Sequence, residues 1–483
     1  MEGTVGEAML FPFCSDMTRG LVRLGVTAVG ATAFAVACAP TEPTVRAEDP
    51  EPAVALVAAP STAMAAYADT GLGELIESAP KSIVAGKRLN VELLRRFYGR
   101  HGFAPVWTTR EAQASSLMDA VLRARDHGLA PELFHADVLR SPANLPMLDR
   151  ELLLSDAFLT YADALARGAM PVERRRDDEA LTPEPIDVAA TLDAALGSSD
   201  PASVIEALAP TTPTYRLLRQ ALQDSRTGIP VGGKVATTRM REIAVNLERE
   251  RWLPRRLPAD RVWVNVADGR LVLYRDDRPI FSTRVIVGQS DRRNQSPEVQ
   301  ASIDGIWFNP PWNIPSDIAT NEILPKMRQD PNYLVRNNMV SLPDGGLQQL
   351  AGANSGLGQL MFYMKNRFDV YLHDTPSKSL FSRYDRRISR GCIRVEDPQK
   401  LAALLMQQPI DAIDEAIAAG STTWKVLPKP VPVFLVYETA FADADERLQF
   451  RTDIYERDPA IWQYLDSRER AVAEREAPDR RQR

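Results

Sequence analysis

Cysteine and histidine are scarce in this 483-residue chain, which holds three of the former (Cys14, Cys38, Cys392) and four of the latter (His101, His127, His135, His373). Three cysteines cannot staple a fold, and no two of the seven residues show metal-ligand spacing. A disulfide framework and a Cys/His metal site are therefore excluded. Basic charge is not in excess either. Lys and Arg number 58 against 64 Asp and Glu, a formal net charge of −6, so no nucleic-acid partner is expected. No apolar run is long enough for a polytopic membrane protein. What remains is an ordinary globular composition, 45% hydrophobic and 25% charged, with length for about two to four domains.

The amino terminus reads as an export signal. Arg19 and Arg23 precede an uncharged apolar stretch, Leu24 to Ala37, which ends in Ala35-Val36-Ala37-Cys38. A basic start, a short apolar centre and an A-x-A end mark a signal peptide over residues 1–38. The stretch is too short to span a bilayer comfortably. Cys38 also resembles a lipobox cysteine, with Ala35 where leucine is usual. Simple cleavage and a lipid anchor at Cys38 stand as alternatives, and membrane contact is expected only through the signal or that anchor. The chain is expected in the periplasm or cell envelope. Either processing leaves Cys392 as the one thiol away from the mature terminus.

Three zones follow. Residues 39–80 are rich in Ala, Pro, Glu and Thr and read as a linker. Residues 81–255 carry helical spacing, in Leu94, Phe97 and Tyr98 and in the stripe Phe158, Tyr161, Ala162 and Leu165. Residues 256–456 turn to strand alternation, as in Val262, Val264 and Val266 before a turn at Asp268-Gly269. Residues 457–483 read as a charged tail. The predicted class is α+β, a mostly-β domain preceded by an α-helical domain.

The chemistry lies between 371 and 394. Tyr371-Leu372-His373-Asp374-Thr375-Pro376 follows a predicted strand over 368–372, and Ser389-Arg390-Gly391-Cys392-Ile393-Arg394 comes shortly after. A thiol nucleophile needs a base for its proton and N–H donors for the developing oxyanion. Glycine lets the backbone approach a substrate closely. The alternative is an inert buried cysteine. Gly391, Arg390 and Arg394 around the thiol favour chemistry.

His373 with Ser389-Arg390-Gly391-Cys392-Ile393-Arg394 resembles the signature of bacterial L,D-transpeptidases with a YkuD-type catalytic domain. Asn309-Pro310-Pro311-Trp312, Leu372 to Ser377, and Tyr437-Glu438-Thr439-Ala440 are similar to the large YcbB-like branch. Ala104-Pro105-Val106-Trp107 and His127-Gly128-Leu129-Ala130-Pro131 resemble that branch's helical scaffold domain. The resemblance implies acyl transfer on peptidoglycan stem peptides and acylation by carbapenems, with no metal or organic cofactor. In that reading Cys392 is the nucleophile and His373 the base. Gly391 and Cys392 offer oxyanion N–H groups, and the Asp374 carbonyl orients the imidazole. Arg394, Arg390 and Arg387 are candidates for stem carboxylates, which guanidinium binds in bidentate fashion, with Tyr371 and Ser389 beside them.

Two departures stand out. Arg390 occupies the place where many members carry a second histidine, and residues 222–241 leave no room for a wall-binding module. A carboxypeptidase or endopeptidase acting on the same wall would use the same residues with water as acceptor, whereas a non-catalytic wall scaffold would not need Cys392 or His373. His101, His127 and His135 read as structural. Trp307 and Trp312 read as packing or loop anchors.

Overall fold

The computed structural model describes residues 71–77, 83–141, 144–227 and 233–466. The expected signal peptide, Cys38 and the tail beyond 466 lie outside these residues. No described helix is long and apolar enough to cross a membrane.

The first half is helical. Helix Val91–Arg100 starts where the Asn90 side chain accepts the Leu93 N–H at 3.2 Å, meeting one of the orphan donors of the first turn. It buries Leu93, Leu94, Phe97 and Tyr98 against the central helix Met147–Arg167, which is sunk on nearly every side. Each large apolar side chain buried this way contributes about 1.5–3 kcal/mol. Two polar residues of that helix hold the segment before it. Glu151 accepts the Val106 N–H at 2.6 Å, and Ser155 accepts the Trp107 indole N–H at 2.9 Å. Tyr98 reaches both, at 2.8 and 2.6 Å. The histidines here each face a partner: His101 an oxygen of Asp193, His127 Glu206 and Tyr215, and His135 Asp156.

Two expectations need correction. The proposed linker is not featureless, because Leu72–Glu77 is helical and Leu72 and Ile76 are buried in the helical core. The proposed tail does not begin at 457. Asp458–Leu465 is a helix whose Ile461 and Leu465 enter that core, and Arg457 is fully buried. Hydrophobic residues spaced four apart in a charged stretch were the available sign, and they are few.

The second half is a closed sheet. Its strands are β1 (Arg261–Asn265), β2 (Arg270–Arg275), β3 (Arg278–Gly288), β4 (Val299–Phe308), β5 (Leu360–Met364), β6 (Leu372–His373), β7 (Arg387–Ser389), β8 (Ile393–Val395) and β9 (Thr423–Val436). They run β7-β3-β8-β6-β5-β4-β9-β1-β2, and a β2–β3 pairing closes the ring. Closure leaves no long free edge. Alternation sorts the side chains, and Leu372, Ile393, Phe362 and Ile306 point into the filled interior, all 0% exposed. The predicted strand over 368–372 is shorter than expected: only Leu372–His373 pairs, and Asp369 before it has φ +51°.

Between β4 and β5 the chain leaves the sheet to form an insertion. It contains strands Trp312–Ile314, Met339–Ser341 and Leu347–Gln349, and a helical stretch over 316–329. Ile314, Ile318, Ile323, Met339 and Leu347 make its own small core, with Trp312 packed against them. The helical domain meets the sheet at the C-terminal end of β9, where Phe434 and Val436 join the helical core. A second junction is polar. Arg457 donates to Asp178 of the helical half at 2.7 Å and to Glu298 of the sheet half at 2.9 Å.

Candidate functional site

Register builds the site. β6 runs parallel to β8, with Leu372 opposite Ile393 and His373 opposite Arg394. Residues two apart share a face, so Tyr371, His373, Cys392 and Arg394 all stand on the outer face. Leu372 and Ile393, between them, anchor both strands in the core. Two short strands bring together residues that are about twenty positions apart.

His373 is buried. Its Nδ1 lies 2.6 Å from the carbonyl of Asp374, which can only accept, so Nδ1 carries the hydrogen and Nε2 keeps its lone pair. Burial, then the nearby positive charge of Arg394, hold the imidazole down at about 4. The Asp374 carboxylate does separate work: it accepts the Gln359 N–H at 2.9 Å and pairs with Lys378 at 2.7 Å. Asp374 thereby ties the imidazole to the end of the insertion.

Cys392 is a free, partly buried thiol. Burial pushes it up to about 11, only partly offset by hydrogen bonds from Tyr371 and by the charge of Arg394. The phenol of Tyr371 bonds to the sulfur and stands edge-on to the His373 ring, with centroids 5.8 Å apart. At neutral pH the site thus holds a neutral thiol and a neutral imidazole, not an ion pair. Arg394 is half-buried beside both, and its Nε has no hydrogen-bond partner.

The turn before the thiol is held from inside. Ser389 Oγ accepts the Gly391 N–H at 3.2 Å and donates to the Cys392 carbonyl at 2.6 Å. Gly391 has φ +105°, a region open to glycine and costly for other residues. Its carbonyl accepts from Ser296 Oγ at 2.8 Å, and Ser296 Oγ in turn accepts the Gly288 N–H at 2.9 Å. Ser296 is fully buried.

Several expected contacts are placed differently. Ser389 is buried and spends its hydroxyl inside the turn, so it shapes the loop without facing a ligand. The Gly391 N–H is taken up by that same hydroxyl. Arg387 is committed to Asp385 at 2.8 and 2.9 Å, to Ser290 at 2.8 Å and to the Ile454 carbonyl at 3.1 Å. Arg390 points to the insertion, pairing with Asp317 at 3.2 Å and with Glu322. Of the three arginines, Arg394 alone stands in the His373 row. Sequence reasoning missed Ser296 altogether. It sits in a polar run, Gln295-Ser296-Pro297-Glu298, that looks like any exposed loop.

Comparison with known proteins agrees with this architecture. The scaffold-domain family matches residues 92–222, and the YkuD family, the L,D-transpeptidase catalytic domain, matches residues 259–426. A Haemophilus influenzae protein named "Putative L,D-transpeptidase" is 28% identical over 396 residues, 76% of this chain and 78% of that protein. Among solved structures, the Ldtfm–avibactam carbamoyl enzyme matches with 10% identity and a TM-score of 0.21, over 37% of this chain and 49% of that one. The chain thus carries a scaffold domain followed by a YkuD-type L,D-transpeptidase catalytic domain, the YcbB-like architecture.

Proposed function

We propose that the protein forms 3–3 crosslinks in peptidoglycan through a thioester on Cys392. The observation that carries this reading is the shared outer face of Cys392, His373 and Arg394, with the Asp374 carbonyl fixing Nδ1–H. His373 Nε2 takes the thiol proton as Sγ attacks the carbonyl that joins the third stem residue to the terminal D-Ala. The proton passes to the departing D-Ala amine, leaving the thioester. The side-chain amine of a second stem then attacks the thioester, gives up its proton to His373, and releases the thiol. Burial keeps His373 unprotonated across the neutral range, so Nε2 is free to accept the thiol proton.

The Cys392 N–H is the oxyanion donor in this scheme, since the Gly391 N–H is engaged with Ser389. Arg394, with a buried unpartnered nitrogen, receives a stem carboxylate. Its charge also favours the thiolate as it forms. The substrate places the protein outside the cytoplasm, in keeping with the export signal read from its first 38 residues.

The test is direct. Purified protein incubated with tetrapeptide stems should gain the mass of a tripeptide acyl group on Cys392, and a carbapenem should add to the same residue. Cell walls from strains with the protein should hold 3–3 dimers that its deletion removes. A wild-type protein that releases D-Ala but yields only free tripeptide would make water the acceptor.

A further inference from the structure

The row that contains His373 does not stop at the catalytic strands. Reading the register across the sheet, Arg394 on β8 stands opposite His373 on β6, which stands opposite Met361 on β5. Met361 stands opposite Trp307 on β4, and Trp307 opposite Trp424 on β9. Neighbours in register point to the same side of a sheet, so all five share the outer face. Trp307, read from the sequence as a packing or loop anchor, stands in this row. The two indoles lie with centroids 5.2 Å apart, and Tyr363, 41% exposed, stands edge-on to Trp424 at 6.1 Å.

The backbone beneath is shaped for this. A Cβ at Gly305 would meet the Trp424 indole at 2.4 Å and 2.5 Å. Glycine there leaves room for the ring against β4, and Trp424 stays part-exposed. The insertion leaves the sheet two residues beyond Trp307, at Asn309, whose N–H bonds to the Gln359 carbonyl at 2.8 Å. The aromatic row therefore runs along the foot of the insertion, on the same face as the thiol.

We propose that Trp307, Trp424 and Tyr363 form a platform for the N-acetylated sugar that carries the donor stem. This rests on the acyl-transfer reading and adds a subsite to it. Strands are spaced about 4.8 Å apart, so Trp307 lies three strands, about 14 Å, from the strand that carries Cys392, and Trp424 four strands, about 19 Å. The three residues of an acylated stem span about 10 Å, at roughly 3.3–3.6 Å each, and the lactyl ether that joins them to the sugar adds about one residue's length more. The sugar then reaches Trp307 and the Trp424 ring packed against it at 5.2 Å. Its C–H face is apolar and slightly electropositive, matching the electron-rich face of an aromatic ring. A free peptide would leave the platform unused.

The full-length protein should be acylated by a disaccharide-tetrapeptide with at least about tenfold higher kcat/KM than by the same tetrapeptide without sugar, the difference lying mainly in KM. In Trp424→Ala, and further in Trp424→Ala with Tyr363→Ser, that ratio should fall towards one; taking the ratio cancels any change common to both donors. Peptide-free disaccharide should quench tryptophan fluorescence of the wild type and not of Trp424→Ala. Equal kcat/KM for the two donors in the wild type, or a ratio unchanged in the double variant, would overturn the platform. Failure of both donors to acylate Cys392 would overturn the acyl-transfer reading instead, and the fluorescence titration would then decide the platform alone.

Discussion

Ser296 Oγ donates to the carbonyl of Gly391 across 2.8 Å, joining the loop before β4 to the turn that presents Cys392. The two residues are 95 positions apart. The bond fixes the peptide whose other side offers the thiol and its N–H. Ser296→Ala should therefore lower the acylation rate by about tenfold to a hundredfold, less than or up to the cost of losing an oxyanion donor outright, with KM little changed. Single-turnover acylation measured beside thermal unfolding separates this from a simple loss of stability. Equal fractional losses in rate and in folded protein would make Ser296 structural only.

Cys392→Ser and Cys392→Ala should lose the acyl adduct and the carbapenem adduct completely. Partial exposure makes the thiol a minor packing element, so unfolding midpoints should stay close to wild type. Intact-mass spectra with both donors check the first statement, and a melting curve checks the second. An adduct persisting on Cys392→Ala would move the nucleophile elsewhere.

The neutral pairing of His373 and Cys392 has its own signature in pH. With the imidazole at about 4 and the thiol at about 11, acylation should be flat across the neutral range and fall only near pH 4. Alkylation by iodoacetamide should be slow at pH 7 and rise towards pH 11, unlike a thiolate–imidazolium pair, which reacts readily at pH 6. His373→Ala should lose about 10²–10⁴-fold in acylation, and part of that should return only as pH approaches 11. Arg394→Ala should raise the pH of the acid limb, because its charge opposes protonation of His373.

Stability carries the same mark. His373 ionises near 4 in the fold against about 6.5 in an unfolded chain, so the unfolded state binds more protons between those values. The contribution is complete above pH 6.5 and is lost as pH falls to 4, a difference of up to about 3 kcal/mol. His373→Gln should be less acid-sensitive than wild type across that window, as read by denaturant midpoints at each pH.

Arg390 holds the insertion by its pairs with Asp317 and Glu322. Both pairs are exposed, and such pairs are worth about 0–1 kcal/mol each, so the link is weak enough to break during turnover. Arg390→Ala should speed hydrogen exchange in residues 316–329 while shifting global stability by less than about 1 kcal/mol. From sequence alone, Arg390→His looks innocuous, since it restores a residue common in the family. With Asp317 and Glu322 facing it, the same change should also loosen the insertion at neutral pH. Unaltered exchange in both variants would make the pairs incidental.

Part of this was legible in the chain and part was not, for physical reasons. The change from helical to strand spacing near 256 is local, and alternation in Val262 to Val266 reports it directly. The rarity of thiols and imidazoles singled out Cys392 and His373 before any fold was known. Arg394 stood apart in the sequence by its place in the motif, two residues past the thiol, and strand pairing sets it, not Arg387 or Arg390, opposite His373. Ser296 and Trp424 were invisible because their partners lie 95 residues away in one case and across a sheet in the other. Ile461 and Leu465 were hidden by the charged residues around them.

Arg457 has a consequence for the order of events when the chain is made. Its guanidinium, fully buried, is shared by Asp178 and Glu298, and the helix after it completes the core of the first half. A ribosome delivers residues from the amino end, and domains ordinarily close as they emerge. Here the segment that completes the first half's core, residues 457–465, follows the sheet half in the chain, so the two halves are expected to close together. Without Arg457, Glu298 keeps the charge of Arg249 nearby, and burial, which already holds its carboxyl up at about 7, would favour the neutral form.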